Sequence, residues 1–221
     1  MRTSDGDKTE SQRIPNLPRY KLSRSQFRLL GILPLTFCLA QAIHYWQINQ
    51  LGHMLWMCNI GNLVLALGLF FERPRLIRVA AVWMLPGLIV WCAYVVPTWS
   101  MLLTGNFTLT ELFGVISSSL AHLGGFAVGI IVLRRVRMDR NAWLFVFIWY
   151  FIVQLLSRLL TPPDMNVNLS HRVQEGFEKS FPSYWKFWLT LTVLVGIGSW
   201  LVSFVLYRIW PSEEISVQSR A

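Results

Sequence analysis

The stretch "GHMLWMCNIGNLVLALGLFF", residues 52–71, points to the fold class of this chain. Its second half is apolar without interruption, which is typical of a helix surrounded by lipid. Its first turns instead carry His53, Cys58, Asn59 and Asn62. An apolar helix needs neither a thiol nor two amides near one end. These side chains therefore only fill space, form hydrogen bonds between helices, or belong to a reaction site.

The composition of the whole chain indicates a membrane protein. Of its 221 residues, 54% are hydrophobic and 14% are charged, whereas soluble domains carry about a quarter charged residues. Eleven Trp and fourteen Phe add to this signature, because aromatic side chains concentrate at bilayer interfaces. The three cysteines, Cys38, Cys58 and Cys92, lie in apolar stretches and form neither a disulfide framework nor a zinc spacing. We therefore predict an integral membrane protein without a metal or cofactor.

Six apolar stretches are long enough, or nearly so, to cross a bilayer, which takes about 20 residues. They cover residues 27–48, 54–71, 76–96, 112–133, 142–160 and 185–210. The second stretch is a little short. The predicted fold is an all-α, polytopic bundle of six transmembrane helices over residues 27–210. A disordered basic tail, 1–26, precedes the bundle, and a short tail, 211–221, follows it.

The positive charges predict the orientation of this bundle. Sixteen of the twenty Lys and Arg fall on one side, in the N-terminal tail, near residues 73–78 and 134–140, and at the C-terminal end. Lys and Arg collect in cytoplasmic loops, so both termini are predicted to be cytoplasmic. The net charge of +9 is then a topology signal, and we expect no nucleic-acid partner. Asn106 and Asn168, each in an N-x-[ST] motif, fall outside, where cysteines introduced at these positions should be labelled.

The two long outer loops carry local signals. Thr108 and Glu111 have the spacing of a capping box, which predicts the start of the fourth helix. The last outer loop, roughly residues 162–184, is the longest. Its middle, "SHRVQEGFEKSF" at 170–181, is interpreted as a short interfacial helix.

Five polar residues fall at a similar depth in the predicted spans. Counting about 1.5 Å per residue from the basic anchor of each span places them at about 18 to 27 Å. These residues, here named the polar layer, are His44, Cys58, His122, Gln154 and Arg158. The hydrocarbon core is about 30 Å thick, so the polar layer lies in its outer half. The pattern predicts a cavity that opens toward the outer face beneath the last loop.

Cys58 and His122 are the candidate catalytic pair. A thiolate is the reactive form of cysteine, and a neighbouring histidine can generate it. His122 lies in the middle of an otherwise apolar span, and ionisable groups inside a membrane are functional by default. The packing interpretation stays open beside it, since a membrane cysteine is often a small hydrophobe. His44 is interpreted as a packed interface histidine.

Two short motifs carry a resemblance to a known family. "LWMCNIGN" contains Cys58 and "SSLAHLGG" contains His122. With the six-span layout over residues 27–210, the chain resembles the intramembrane hydrolases of the androgen-induced and androgen-dependent-TFPI-regulating type. It looks closer to their cysteine-containing relatives, which include a transmembrane acyltransferase and bacterial membrane proteins. The bacterial relatives usually carry a histidine and an acidic residue where this chain has Trp56 and Asn59.

The resemblance implies acyl chemistry on a membrane lipid. The family places a Thr or Cys nucleophile early in the second span and a His within the fourth. The nucleophile would form an acyl-enzyme from an ester and pass the acyl group to water or to another lipid. The supporting candidates are Asn59, Asn62 and Ser119 as oxyanion donors, and Arg158 and Lys186 as ligands of a phosphate or carboxylate headgroup.

Two other classes of function remain open at this point. The polar layer of a non-catalytic membrane protein would bind a lipid or only pack helices. A haem or quinone protein would use His44 and His122, which must then face each other across the cofactor. A transporter is less favoured, because the spans show no internal repeat.

Overall fold

The computed structural model of the protein describes residues 23–102, 105 and 108–212, apart from the side chains at 94 and 96–102. Helices make up most of this part of the chain, and no strand longer than an isolated bridge occurs in it. The α-helices are α1 (Arg24–Leu29), α2 (Ile32–Gln47), α3 (Met57–Phe70), α4 (Pro74–Leu102), α5 (Leu109–Ser119), α6 (Gly125–Val136), α7 (Ala142–Leu160) and α8 (Tyr184–Ile209). A π-helical segment, Leu120–Gly124, joins α5 to α6. The predicted all-α class is confirmed.

Several helical segments have the length and apolar character needed to cross a membrane. Five are found within the described residues, namely Arg24–Gln47, Pro74–Ala93, Leu109–Val136, Ala142–Leu160 and Tyr184–Ile209. The prediction of a multi-pass helical chain is confirmed to that extent. The capping box of Thr108 and Glu111 starts α5 as expected. Helix α3 has only 14 residues, a length of about 21 Å.

Helix α3 begins later than the sequence pattern predicts. The apolar stretch was expected to be helical from residue 54, but Leu51–Leu55 forms a 3₁₀ turn and Trp56 adopts an extended ψ of 136°. The first N–H of the helix, at Met57, donates to Oδ1 of Asn168 at 3.1 Å. Because tryptophan cannot cap a helix through its side chain, an asparagine from the last loop supplies the missing acceptor.

Asn168 also holds the last loop against two other elements. Its Nδ2 donates to the backbone of the 3₁₀ turn at Leu55 (2.7 Å) and to Oγ of Ser157 in α7 (2.8 Å). Asn168 is only 8% exposed. It is therefore poorly suited to the labelling experiment proposed for this position from the charge pattern. Asn106 lies outside the described residues.

Replacing Asn168 by alanine should destabilise the fold by about 3 kcal/mol, since three hydrogen bonds of about 1 kcal/mol each are lost. Thermal unfolding of the purified protein in detergent measures the change. Asn141 is the matched control, because it is exposed and its side chain does not cap α7. Equal unfolding temperatures for the Asn168→Ala and Asn141→Ala variants would contradict this role.

The apolar core occupies one half of the bundle. It joins the second half of α3 to the first half of α4, and to α6 and α7. Its members include Val64, Leu65, Leu69, Ile77, Ala80, Ala81, Val132, Leu133 and Val146. The buried polar side chains Gln41, Asn59, Asn62, Ser117, Gln154 and Ser157 lie toward the other ends of these helices and of their neighbours. Helix α8 also carries buried serines, Ser199 and Ser203, in its second half. The depth of the polar layer in a membrane stays a prediction.

Contacts bring the arginine-rich segments to one end of the bundle. Glu72, just after α3, accepts hydrogen bonds from Arg24 (2.7 Å) and Arg28 (2.5 Å), and these bonds lower the pKa of its carboxyl group. Arg78 donates to the carbonyl of Arg137 at 2.8 Å. The backbone after α6 bonds to the end of α8 at 2.6 Å. The segments that the charge pattern assigns to one side therefore share one end.

The last outer loop differs from the prediction. Residues 170–181 form turns and bends instead of the expected interfacial helix. The Oδ1 of Asn166 accepts the backbone N–H groups of His171 and Arg172, both at 3.0 Å, which closes a turn. Gly176 then adopts a φ of +90°, a value that a helix does not allow.

Candidate functional site

Cys58 lies in the first turn of α3 and is half-buried. It lies beside Gly87 of α4, where an added Cβ would lie 3.8 Å from the Cβ of Cys58. Because Gly87 has no side chain, α3 and α4 approach each other closely at Cys58. Reactive cysteines recur at helix N-termini, because the free N–H groups there favour a negative charge. The position of Cys58 thus suits a nucleophile.

His122 lies within the π-helical segment between α5 and α6. Its Nδ1 is 2.8 Å from the carbonyl oxygen of Ser118. A carbonyl oxygen only accepts hydrogen bonds, so Nδ1 must carry a proton in this arrangement. In a neutral imidazole, Nε2 then keeps its lone pair and is able to act as a base. Single π-helical turns recur at functional sites, which supports a functional role for His122.

Trp91 of α4 fixes the ring of His122. The two rings stack with centroids 5.2 Å apart and planes inclined by 13°. The Nε1 of Trp91 donates to Oγ of Ser118 at 2.9 Å. Ser118 therefore binds the histidine through its carbonyl and the tryptophan through its hydroxyl. This arrangement holds the imidazole against α4.

Cys58 and His122 converge on the same face of α4. Their partners Gly87 and Trp91 are four residues apart, so they share one helix face with an axial offset of about 6 Å. Cys58 approaches this face from α3, and His122 approaches it from the π-helical segment. No hydrogen bond joins the thiol to the imidazole among the contacts of the described residues. The two residues therefore meet the same face of α4 without a hydrogen bond between their side chains.

Asn62 forms hydrogen bonds to the backbone on both sides of the site, at Cys58 in α3 and at Ala121 in the π-helical segment. Its Nδ2 donates to the carbonyl oxygens of Cys58 (3.0 Å) and of Ala121 (2.9 Å), the residue before His122. The side chain is fully buried, with 0% exposure. Both amide hydrogens are used in these bonds, since an asparagine side chain has two. Asn62 thus acts as a positioning residue rather than as the oxyanion donor expected from the sequence.

The other oxyanion candidates have different surroundings. Ser119 donates its hydroxyl to the carbonyl of Val115 in its own helix at 2.7 Å, so this proton is not directed at a substrate. The Nδ2 of Asn59 donates to the carbonyl of His53 at 3.0 Å. One amide hydrogen of Asn59 has no acceptor among the described residues, so Asn59 is the better of the two donors.

The two headgroup candidates also differ from each other. Arg158 donates to the carbonyl of Ser170 at 2.6 Å and lies over the rings of Tyr184 and Trp185, each 5.2 Å from its guanidinium carbon. These contacts fasten the last loop to the start of α8. Lys186 is exposed, and its ammonium group has no partner in the described part of the chain. Arg158 therefore has a structural role, whereas the ammonium group of Lys186 is free to bind a headgroup.

His44 and His122 do not face each other. The ring of His44 lies directly over Gly114 of α5, where an added Cβ would collide with it. Gly114 precedes His122 by eight residues, an axial distance of about 12 Å. His122 is stacked on Trp91 instead. The facing pair required by the haem interpretation is not formed.

A cavity of about 460 Å³ is formed by the last loop together with Trp56. Its lining contains Trp56, Met165, Asn166, Leu169, Arg172, Val173, Gln174, Glu175 and Glu178. The sequence predicted a cavity among the residues of the polar layer, but none of these residues, Cys58 and His122 included, is part of the lining. Trp56 precedes Cys58 by two residues, so their Cα atoms lie within about 7 Å of each other.

Several residues of the site were not singled out from the sequence. Trp91, Gly87 and Ser118 acquire their roles through contacts between helices. Only the four-residue spacing of Ser118 and His122 gave a local signal, because such residues are neighbours on a helix. Comparison with models of protein families, with curated proteins and with solved structures finds no match for this chain.

Proposed function

We propose that this protein is an intramembrane lipid acyl hydrolase or acyltransferase, with Cys58 as the nucleophile and His122 as the base. The main support is the convergence of the two side chains on the face of α4 formed by Gly87 and Trp91. The bond from Nδ1 to the Ser118 carbonyl supports the basic role of Nε2. Catalytic hydrogen bonds are often absent before substrate binds, so an unengaged pair is compatible with this role.

The reaction would proceed through a thioester. Nε2 of His122 takes the thiol proton, and the thiolate of Cys58 attacks the ester carbonyl of a lipid. The C–O bond then breaks, and the alcohol leaves with the proton from the imidazolium. Water or the hydroxyl group of a second lipid attacks the thioester and restores the thiol. Water gives hydrolysis, and a lipid hydroxyl gives acyl transfer.

The developing oxyanion has two candidate donors at the start of α3. The backbone N–H of Cys58 has no backbone acceptor among the contacts of the described residues. The N–H of the nucleophile itself is a common oxyanion donor in acyl-transfer enzymes. The remaining amide hydrogen of Asn59, the next residue, is the second candidate. Both belong to the turn that carries the thiol.

We also propose that α3 crosses the membrane as the second of six spans, in addition to the five longer helical segments, and that both termini are cytoplasmic. The charge asymmetry supports this orientation, as does the shared end of the arginine-rich segments. Helix α3 is about 21 Å long, less than the hydrocarbon thickness of about 30 Å. Its first turn would thus lie below the outer surface, near the depth of lipid ester groups. Cys58 is part of that turn.

A cysteine at Lys179 should be labelled from outside by a membrane-impermeant maleimide. Lys179 is exposed in the last loop, and Arg140 is an exposed position at the opposite end of the bundle. A cysteine at Arg140 should be labelled only after the membrane is permeabilised. Both variants are made in a background with Cys38, Cys58 and Cys92 replaced by alanine. The reverse pattern of labelling would contradict cytoplasmic termini.

The acyl chemistry is tested with a long-chain activated ester. The purified protein is incubated with the ester, and the modified cysteine is located by mass spectrometry. We expect a thioester on Cys58 and none on Cys38 or Cys92. An unmodified Cys58 after prolonged incubation would contradict the proposal.

A second candidate function is lipid binding without catalysis. It is favoured by the absence of a Cys58–His122 hydrogen bond and by the packing role of Asn62 between α3 and the π-helical segment. A lipid that is retained by the protein and never transfers its acyl chain to Cys58 would support this alternative. Stoichiometric haem absorbance in the purified protein would instead support the haem interpretation.

A further inference from the structure

The cavity beneath the last loop is lined by charged groups that the acyl chemistry does not use. Arg172 contributes a cation, and Glu175 and Glu178 contribute two carboxylates. Trp56 adds an aromatic ring. We propose that this cavity binds the zwitterionic headgroup of a phospholipid. The assignment rests on the proposed function, because it names the substrate class of that site.

The opposite charges in the cavity are not paired with each other. Among the described residues, no ion pair within 4.0 Å joins Arg172 to a carboxylate. One Nη of Arg172 donates to the carbonyl of Asp164 at 3.2 Å. Glu178 accepts the N–H of Gly176 at 2.9 Å. These single bonds leave donors on the guanidinium and lone pairs on the carboxylates for a ligand.

A zwitterionic headgroup matches this set of groups. The guanidinium suits a phosphate, because its N–H donors fit two phosphate oxygens. A quaternary or primary ammonium suits Glu175 and Glu178 by charge. It also suits the face of Trp56, since aromatic rings attract cations. An anionic headgroup such as phosphatidylglycerol satisfies only the arginine.

The position of the cavity fits the position of the nucleophile. Trp56 lines the cavity and lies two residues before Cys58, across the break that precedes α3. The Cα atoms of these two residues are within about 7 Å. In a phospholipid the acyl esters are a few bonds from the phosphate. A headgroup in the cavity would therefore bring an acyl ester toward Cys58.

The test measures binding without turnover. The full-length Cys58→Ala protein is mixed with phosphatidylcholine, phosphatidylethanolamine and phosphatidylglycerol of identical acyl chains, and bound lipid is quantified by native mass spectrometry. We expect the two zwitterionic lipids to bind about tenfold more tightly than phosphatidylglycerol, from two partly exposed charge contacts. The double substitution E175Q/E178Q should remove this preference. Glutamine keeps the oxygen that accepts the Gly176 N–H.

Two further variants complete the design. R172Q should weaken the binding of all three lipids, whereas K179Q, an exposed change in the same loop, should leave the preference intact. Competition by soluble phosphocholine supports recognition of the headgroup. Equal affinity for the three lipids, or competition by inorganic phosphate alone without a headgroup preference, overturns the proposal. If the Cys58→Ala protein shows no headgroup preference while Cys58 of the unmodified protein is still acylated by the activated ester, only the headgroup site is refuted. If the preference is found but Cys58 is never acylated, only the catalytic role is refuted.

Discussion

Replacing His122 by alanine should lower the rate of Cys58 acylation by about 10²-fold or more, the usual contribution of a positioned general base. The thiol would lose the group that takes its proton, and the thiol form is a much weaker nucleophile than the thiolate. The rate is measured with a long-chain activated ester in a background in which Cys38 and Cys92 are alanine. Thioester formation at Cys58 is then followed by mass spectrometry over time.

His53 is the matched control for this experiment. It lies close to α3, but its Nδ1 accepts a hydrogen bond from Nε1 of Trp56 at 3.4 Å. The imidazole of His53 is therefore bound to Trp56 and not to the Cys58 thiol. His53→Ala should therefore change the acylation rate little. Thermal unfolding checks that His122→Ala keeps its fold, since the stack with Trp91 is also lost. Equal acylation rates with and without His122 would contradict its role as a base and would leave it only a role in helix packing.

Replacing Gly125 by alanine should lower the stability by about 2 kcal/mol, because an extra methyl group would be forced into a packed contact. The added Cβ would collide with Oδ1 of Asn62. Asn62→Ala alone should also cost about 2 kcal/mol, because its two hydrogen bonds between α3 and the π-helical segment are lost. Each change corresponds to a fall of about 5 °C in the unfolding temperature.

The double variant separates a specific contact from general crowding. With Asn62 shortened to alanine, the methyl group of Gly125→Ala enters the vacated space, so the two changes should cost less together than their sum. Gly198→Ala is the control, because an added Cβ there meets no atom within 4 Å. Additive losses of stability would show that Asn62 and Gly125 do not share a contact.

The apolar pattern of the sequence was sufficient to predict the helices. Residues 142–160 were expected to be helical, and α7 has the same bounds. The Thr108 capping box was also correct, because both partners lie within one turn and need no distant element. The start of α3 was not predicted. Its cap, Asn168, lies 111 residues away along the chain, and local sequence cannot reveal so distant an acceptor.

The roles of the individual polar residues were harder to predict. Asn62 and Ser119 looked equally suited to stabilising an oxyanion, because both carry hydrogen-bond donors near the polar layer. In the fold, both hydrogens of the Asn62 amide and the hydroxyl of Ser119 are bound to backbone carbonyls. Arg158 likewise binds Ser170 and two aromatic rings of α8. Residue type indicates which bonds a side chain can make, but only neighbouring helices decide which are made.

The sequence by itself determined the all-α class and the apolar helices, because length, hydropathy and helical rise act along a single segment. The tertiary structure decided that Cys58 and His122 meet the same face of α4, through Gly87 and Trp91. It also decided that the charged cavity lies beside Trp56, at the break before α3. These relations depend on the rotation of each helix about its axis. That rotation is set by packing against neighbouring helices, and no single segment encodes it.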